Sequence, residues 1–304
     1  MTSHNMNTPT AVNWHCEPIC NYNCQFCYAP FAEQRKQSKM TKEEGYTLIH
    51  DLANEGVDKI NFVGGEPKLH EFLDDWIIAS KQAGMTTSIV SNGTGMTREW
   101  LTKMRPHLDW LGLSIDASND MIHAIMGRAR IGEYKEGISK HLERGLKIAD
   151  IGNELGYGIK LNTVVTSANK SDDMAEVVKR INPVRWKVFQ VLKIEGENDS
   201  HIEPFLIRKA EFDAYVKRHK LSLLDSMIDL VDECNEDMLG TYAMIDSLGR
   251  VYTNMEGRYK YSTKTIQEVG FTHAWAEVSQ GFSTTAFEAR GGQWDWEATA
   301  GVAL

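Results

Sequence analysis

Three closely spaced cysteines are the residues in this chain best suited to chemistry. In Cys20-Asn21-Tyr22-Asn23-Cys24-Gln25-Phe26-Cys27 the spacing is C-x3-C-x2-C, with an aromatic residue directly before the last cysteine. Three thiolates on one short loop can hold three irons of a [4Fe–4S] cube and leave the fourth iron open to another ligand. Cys16 lies four residues upstream, so Cys16, Cys20, Cys24 and Cys27 could instead make a four-thiolate zinc site. Structural zinc sites usually pair two C-x2-C-like knuckles across a longer excursion, and one such spacing occurs here. Cys16 also ends the run Ala11-Val12-Asn13-Trp14-His15, which reads as a strand entering the loop. Five cysteines in 304 residues are too sparse, and odd in number, for a disulfide framework.

A second group of residues with chemical potential sits on and after later strands. Gly64-Gly65-Glu66-Pro67 follows the strand Lys59-Ile60-Asn61-Phe62-Val63; paired glycines allow close backbone approach, and Glu66 can accept from an ammonium group. Read alone, the same string is a glycine-rich turn with a surface carboxylate. Ser91-Asn92-Gly93 ends a third strand and Ser114-Ile115-Asp116 a fourth, with Ser114 and Asp116 on one face by two-residue alternation. Lys160 and Asn162 alternate on a fifth strand, Arg185 and Lys187 on a sixth, and Lys59 opens the second. Ile159, Leu161, Trp186 and Val188 hold the other parity, so in a parallel barrel they pack against helices and the cations face the lumen. Unpaired buried cations are costly. A polyanion such as a triphosphate would resolve that cost, with bidentate arginine contacts to phosphate; the alternative is that these strand faces are inverted or solvated.

These residues need a scaffold, and the hydrophobic pattern supplies one. Strands are expected at Val12–His15, Lys59–Val63, Thr86–Val90, Trp110–Ile115, Gly158–Val165 and Arg185–Leu192, with helices at Lys42–Asn54, Phe72–Ala83, Arg98–Met104, Glu133–Leu155 and Ser171–Ile181. Thr41 is the expected N-cap of the first helix, with Glu44 three residues on. Beyond Leu192 the pattern changes to helices near Lys209–His219 and Asp225–Cys234. A hairpin then joins Thr241–Ile245 to Arg250–Tyr252 across Asp246-Ser247-Leu248-Gly249. The expected organisation is a tail at 1–10, a βα domain at 11–192, a substrate-capping α+β extension at 193–296 and a second tail at 297–304.

Composition narrows the partners. Hydrophobic content of 42% and charged content of 25% are ordinary for a globular chain. No segment approaches the ~20 apolar residues that span a bilayer, and Met1 to Thr10 has neither a basic nor an apolar stretch, so no membrane and no signal peptide are expected. A net charge of −9 argues against a broad nucleic-acid-binding surface. A reduced, cytoplasmic setting fits both the cysteine usage and an oxygen-sensitive cluster.

The cysteine motif resembles that of the radical-SAM superfamily. Within it, Cys20–Cys27, Lys59–Phe62 with Gly64–Pro67, Ser88–Gly93, Asn182–Gln190 followed by Ile194-Glu195-Gly196-Glu197-Asn198, and Arg290-Gly291-Gly292 resemble the viperin family over about residues 11–296. The resemblance implies an α/β fold, a partial (β/α)6 TIM-like barrel whose mouth the C-terminal extension closes. It implies a [4Fe–4S] cluster on Cys20, Cys24 and Cys27, with S-adenosylmethionine on its open iron. Glu66 would hold the methionine amino group, with Gly64, Gly65, Tyr28, Ser91, Asn92, Ser114, Asp116 and Arg128 completing the cofactor site. Lys59, Asn61, Lys160, Asn162, Arg185, Lys187 and Arg290 would contact a nucleotide, mainly its phosphates, and Tyr242 and Lys187 would stand at the reacting ribose.

The implied activity is removal of the ribose 4′-hydrogen of a nucleoside triphosphate by a 5′-deoxyadenosyl radical. Loss of the 3′-hydroxyl and one-electron reduction then give a 3′-deoxy-3′,4′-didehydro nucleotide, an antiviral chain terminator. A flavodoxin- or ferredoxin-type electron donor is implied as partner. CTP is the favoured substrate; Val63, Cys16 and the stretch 257–264 depart from the animal pattern near the substrate end, which keeps UTP and GTP open. Animal members carry an N-terminal membrane helix that the resemblance does not reach. Two other readings stand beside this one. The GTP-rearranging enzyme of molybdenum-cofactor synthesis also holds a triphosphate, but needs a second cysteine triad, whereas Cys234 alone follows Cys27 here. The third is a zinc-stabilised binding protein.

Overall fold

Strands with one apolar parity and one polar parity must be covered on one face and can enclose a cavity on the other. The computed structural model describes residues 9–292 and has that arrangement; the tail expected at 297–304 and most of that at 1–10 lie outside the described residues. The strands are β1 (Ala11–Glu17), β2 (Lys59–Gly64), β3 (Thr86–Ser91), β4 (Trp110–Ser114), β5 (Gly158–Val165), β6 (Arg185–Gln190), β7 (Asp229–Glu233), β8 (Met244–Ile245), β9 (Arg250–Thr253) and β10 (Lys260–Thr265). Their order across one sheet is β10-β9-β8-β1-β2-β3-β4-β5-β6-β7. From β1 to β7 every neighbour is parallel, and β8 continues the parallel run on the other side of β1 before β9 and β10 turn back. This is the expected partial barrel, with parallel pairing carried one strand further than expected at one edge and by a short strand at the other.

Helices α1 (Lys42–Asn54), α2 (Leu73–Gln82), α3 (Arg98–Met104), α4 (Asp120–Ile125), α5 (Ile131–Lys135), α6 (His141–Glu154), α7 (Ala175–Ile181) and α8 (Lys209–Ser222) separate the parallel strands. After β7 come α9 (Asn235–Met238), α10 (Ile266–Val269), α11 (Phe271–Val278) and α12 (Thr284–Ala289). The capping box read from Thr41 and Glu44 is present: the Thr41 hydroxyl accepts from Glu44 N, and Glu44 accepts from Thr41 N at 2.7 Å. Ile159, Leu161, Trp186 and Val188 are all fully buried in the layer between strands and helices. Among the described residues no helix is long and apolar enough to cross a membrane.

Three local expectations are corrected. Asp225–Cys234 is not a helix: Asp229–Glu233 pairs in parallel with Arg185–Phe189, because an open sheet edge offers main-chain partners that outweigh weak local preference. The helix expected over Glu133–Leu155 is two helices, divided at Gly137, whose φ of 71° is left-handed and ends the first. The helix expected from Ser171 starts at Ala175, since Asp172 receives the Ser118 main chain and hydroxyl instead of entering the helix.

Helix α1 meets α2 through a glycine. A methyl group on Gly45 would lie 2.1 Å from Trp76 Nε1, and that indole donates to the Lys42 carbonyl at 3.1 Å. Gly45→Ala should therefore overpack the interface and lower stability by about 1–3 kcal/mol. Thermal denaturation checks this; an unchanged or raised midpoint would show that α2 moves freely on α1.

Candidate functional site

Strand β1 delivers the cysteine loop to one end of the barrel, and β2 locks it there. A Cβ on Gly64 would lie 2.3 Å from the Glu17 carbonyl oxygen and one on Gly65 2.4 Å from that of Ile19, so only glycine admits this approach. Gly65 N donates to Glu17 O at 2.6 Å and Glu66 N to Ile19 O at 2.9 Å. On the other side, Asn23 N and Gln25 N donate to the carbonyls of Ala129 and Met126. Tyr22 inserts behind the loop, its hydroxyl 3.2 Å from His141 Nδ1 and 2.8 Å from Arg144.

Cys20, Cys24 and Cys27 are partly exposed and line a cavity of about 580 Å³, whereas Cys16 is buried in β1 with its thiol directed at the Val63 carbonyl, 3.6 Å away. Cys16 therefore cannot be the fourth ligand of a zinc site, and among the described residues no three His, Cys, Asp or Glu side chains gather around one metal position. A cube fits better, because it places each thiolate on a different iron. Burial pushes the Cys20 thiol up to about 11 and raises Cys24 and Cys27 as well, with the Arg128 charge working the other way on all three. Ligand protons must leave when metal binds, and Arg128 favours that.

Glu66 is fully buried, accepts from Ser91 Oγ and Asn92 N at 2.8 Å each and from Lys68 N at 3.1 Å, and burial moves it up to about 7. Asn92, fixed by Glu66, places its side-chain amide 3.8 Å from Cys20 Sγ and 3.1 Å from Asn21. Asp116 is likewise engaged, with Arg128 Nε on one oxygen and Val164 N at 2.9 Å on the other. Gly64, Gly65, Tyr28, Ser91, Asn92, Ser114, Asp116 and Arg128 all line the cavity near the cysteines.

The predicted cations line the same cavity. Lys59, Lys160, Arg185, Lys187 and Arg290 are each at most 9% exposed. Register stacks the wall in rows across β4 to β7: Gly112, Lys160, Arg185 and Asp229 in one, Ser114, Asn162, Lys187 and Val231 in the next, then Phe189 and Glu233. Successive rows are roughly 7 Å apart along the barrel, rising toward the cysteine loop. Burial, with the charges of Lys187 and Arg185, brings Lys160 down to about 7; burial, partly offset by Glu233, brings Lys187 down to about 8. Lys59 is depressed further, by burial and then by the other four cations. Asn61 and Asn162 face the cavity with buried side-chain oxygens that lack a hydrogen-bond partner.

Sequence reasoning missed the acidic partners, having assigned their segment to a helix. Arg185 Nε donates to Asp229 at 2.8 Å, and its Nη1 reaches the Gly291 carbonyl at 3.0 Å, an approach that a Cβ on Gly291 would block. Glu233 is fully buried and pairs with Lys187, accepts from the Tyr242 hydroxyl, and lies 3.8 Å from Arg290. The Arg290 guanidinium stands 3.7 Å over the Tyr242 ring, and its Nε donates to the Thr241 carbonyl at 3.1 Å. Asp229, Val231 and Glu233 share a parity, the one signal that a strand was present.

Comparison with known proteins gives this geometry a family. Residues 17–158 match the model of the radical SAM superfamily. The S-adenosylmethionine-dependent nucleotide dehydratase of Flammeovirga pacifica is 36% identical over 291 residues, covering 94% of this chain and 96% of that protein. The Lacinutrix mariniflava protein of the same name is also 36% identical, but this chain spans 58% of it. That of Danio rerio is 34% identical, with 95% of this chain and 79% of that one covered. Among solved structures, Streptococcus suis SuiB bound to S-adenosylmethionine has a TM-score of 0.67 at 16% identity, over 94% of this chain and 68% of that one. The enzyme anSMEcpe with bound AdoMet has 0.68 at 16%, over 95% and 84%; at such identity the likeness is one of fold. The chain belongs to the radical-SAM superfamily and, within it, to the S-adenosylmethionine-dependent nucleotide dehydratases, enzymes that use a [4Fe–4S] cluster and S-adenosylmethionine.

Proposed function

We propose that this enzyme dehydrates a nucleoside triphosphate, CTP in first place with UTP and GTP as the other candidates, to its 3′-deoxy-3′,4′-didehydro analogue, a chain terminator serving antiviral defence. The observation that carries this is a cluster of five buried Lys and Arg side chains in the same cavity as the three cysteines. Cys20, Cys24 and Cys27 would hold the cluster, and Gly64, Gly65, Tyr28, Ser91, Asn92, Ser114, Asp116 and Arg128 would frame S-adenosylmethionine, with Glu66 holding its amino group. Together the bound groups supply a 5′-deoxyadenosyl radical, a hydrogen abstractor, once a flavodoxin- or ferredoxin-type donor provides an electron. Lys59, Asn61, Lys160, Asn162, Arg185 and Arg290 would hold the nucleotide by its phosphates and sugar. Lys187, one row nearer the cysteines than Lys160 and Arg185, and Tyr242, whose ring lies 5.9 Å from the Lys187 ammonium, would stand at the ribose. The relatives' common designation as nucleotide dehydratases supports the same substrate class.

Anaerobic incubation with S-adenosylmethionine, reductant and each nucleoside triphosphate tests the reaction by mass spectrometry. A product lighter by one water is expected, and deuterium at the ribose 4′ carbon should appear in 5′-deoxyadenosine. Transfer from the 2′ or 3′ carbon, or from the base, would sink this assignment.

The cluster assignment makes its own prediction. Cys20→Ala, Cys24→Ala or Cys27→Ala should each abolish iron–sulfur absorbance and cleavage of S-adenosylmethionine, while Cys16→Ala and Cys234→Ala keep both. Loss of absorbance in Cys16→Ala, with one of the three loop variants tolerated, would reverse it.

Phosphate binding should be linked to protons. In the free enzyme Lys160 and Lys187 lie near 7 and 8, below the ordinary lysine value, and a bound triphosphate raises both. Binding then takes up protons, so affinity is highest below those values and falls as pH rises through them. Titration calorimetry should give a dissociation constant at least about tenfold weaker at pH 9 than at pH 7, since one lysine alone can contribute tenfold per unit. Heats should depend on the ionisation enthalpy of the buffer. An affinity flat over this range would mean that the lysines do not touch the phosphates.

A further inference from the structure

A buried carboxylate is out of place in a pocket built for a polyanion, because it repels the ligand. Glu233 is nonetheless fully buried directly behind Lys187 and Tyr242, which line the cavity, and it divides the cations into two groups. Lys59, Lys160 and Arg185 lie toward the end of the barrel away from the cysteines, with Asp229 beside Arg185. Lys187, Arg290 and Tyr242 converge on Glu233 from β6, from the C-terminal end of α12 and from the segment before β8. Register puts Glu233 opposite Phe189, one row nearer the cysteine loop than Lys187, so the Lys187 side chain is drawn toward the cofactor end.

We propose that Glu233 is a positioning residue for the dehydration step, keeping Lys187 protonated and aimed at the 3′ oxygen of the ribose while the other cations hold the triphosphate. The assignment rests on the nucleotide-dehydratase reading. The Lys187 ammonium gives a proton to the 3′ oxygen as the C3′–O bond breaks, with the bonding pair leaving on oxygen, and water forms. The sugar, already lacking a hydrogen atom at C4′, is left as a C3′–C4′ alkene radical cation. One electron from a flavodoxin- or ferredoxin-type carrier converts it to the closed-shell alkene. Lys187 recovers its proton from water when product leaves.

The charges around Lys187 show why a counter-charge is required. Arg185 on its own strand, Lys160 on β5, Lys59 on β2 and Arg290 beyond α12 all oppose its protonation, and Tyr242 is neutral; Glu233 is the carboxylate paired with it among the described residues. Burial acts to raise Glu233, and the charges of Lys187 and Arg290 more than offset it, so the carboxylate stays ionised below the ordinary range. Its charge, and not its shape alone, is therefore what Lys187 needs.

The test uses reconstituted holoenzyme with the triphosphate that wild type accepts, at saturation, comparing wild type, Glu233→Gln, Glu233→Asp and Tyr242→Phe between pH 6 and 9. Both 5′-deoxyadenosine and dehydrated nucleotide are quantified. Glu233→Gln should bind the triphosphate as tightly as wild type or more so, because a repelling charge is gone. Its ratio of 5′-deoxyadenosine to product should rise at least tenfold, as hydrogen abstraction proceeds without proton delivery. The basic limb of product formation should move down by at least one pH unit, and Glu233→Asp, whose charge sits farther from Lys187, should lie between Glu233→Gln and wild type in both. Tyr242→Phe retains the ion pair and should keep the limb in place. Unchanged coupling and an unmoved limb in Glu233→Gln would overturn the assignment, as would parallel loss of binding, 5′-deoxyadenosine and product, which marks a structural role. If Glu233→Gln fails to fold, Glu233→Asp alone decides: its shorter arm should raise the ratio above wild type, and wild-type coupling overturns the assignment. A wild-type enzyme that dehydrates no triphosphate overturns the functional reading itself, and this assignment with it.

Discussion

Gathering five buried cations at one cavity is the constraint around which this molecule is organised. Lys59, Lys160, Arg185, Lys187 and Arg290 converge there in a protein whose net charge is −9, and among the described residues one fully buried carboxylate, Glu233, stands among them. Each charge taken from water costs several kcal/mol after relaxation. The fold bears that cost in two ways. Lys59, Lys160 and Lys187 become easier to deprotonate, and Arg185 and Arg290 are anchored by main-chain carbonyls at Gly291 and Thr241. Both carbonyls lie in the segment after β7, which also lines the cavity with Tyr242, Phe287 and Gly291.

The parallel sheet explains how two incompatible environments share one cavity. All strands from β8 through β7 run the same way, so every loop that follows a strand emerges at one end. The cysteines, Gly64-Gly65, Ser91-Asn92 and Asp116 are gathered there. Residues early in the strands face the lumen at the opposite end, which is where Lys59, Lys160 and Arg185 fall. The three thiols at one end are thereby separated from Lys59, Lys160 and Arg185 by the length of a few residues of strand. Apolar contacts under the loop, Phe26 with Met126 and Cys24 among them, keep the cysteine end dry on its outer side.

Much of this was legible from the chain. The two-residue alternation of Lys160 with Asn162 and of Arg185 with Lys187 is a local property, and the structure turns those parities inward as read. Glu233 was illegible for a physical reason. A strand at the sheet edge needs little apolar character of its own because β6 dictates its conformation, and Asp229-Leu230-Val231-Asp232-Glu233 has too few apolar residues to declare a period. Glu66 was legible as a motif, but the main-chain donors it meets, Asn92 N and Lys68 N, are ones that no spacing rule reveals.

The donors that hold Glu66 also reach the cysteine loop. Facing inward, Glu66 satisfies the main-chain N–H of Asn92 and the hydroxyl of Ser91, and it holds Asn92 so that its amide donates toward Cys20. A donor at sulfur favours the thiolate over the thiol, whereas the charge of Glu66 itself works the other way on Cys20. Glu233 acts in reverse, touching its cation directly and favouring the charged form by attraction. The two buried glutamates thus act on the cavity differently, one through a neutral amide beside Cys20 and one through an ion pair with Lys187.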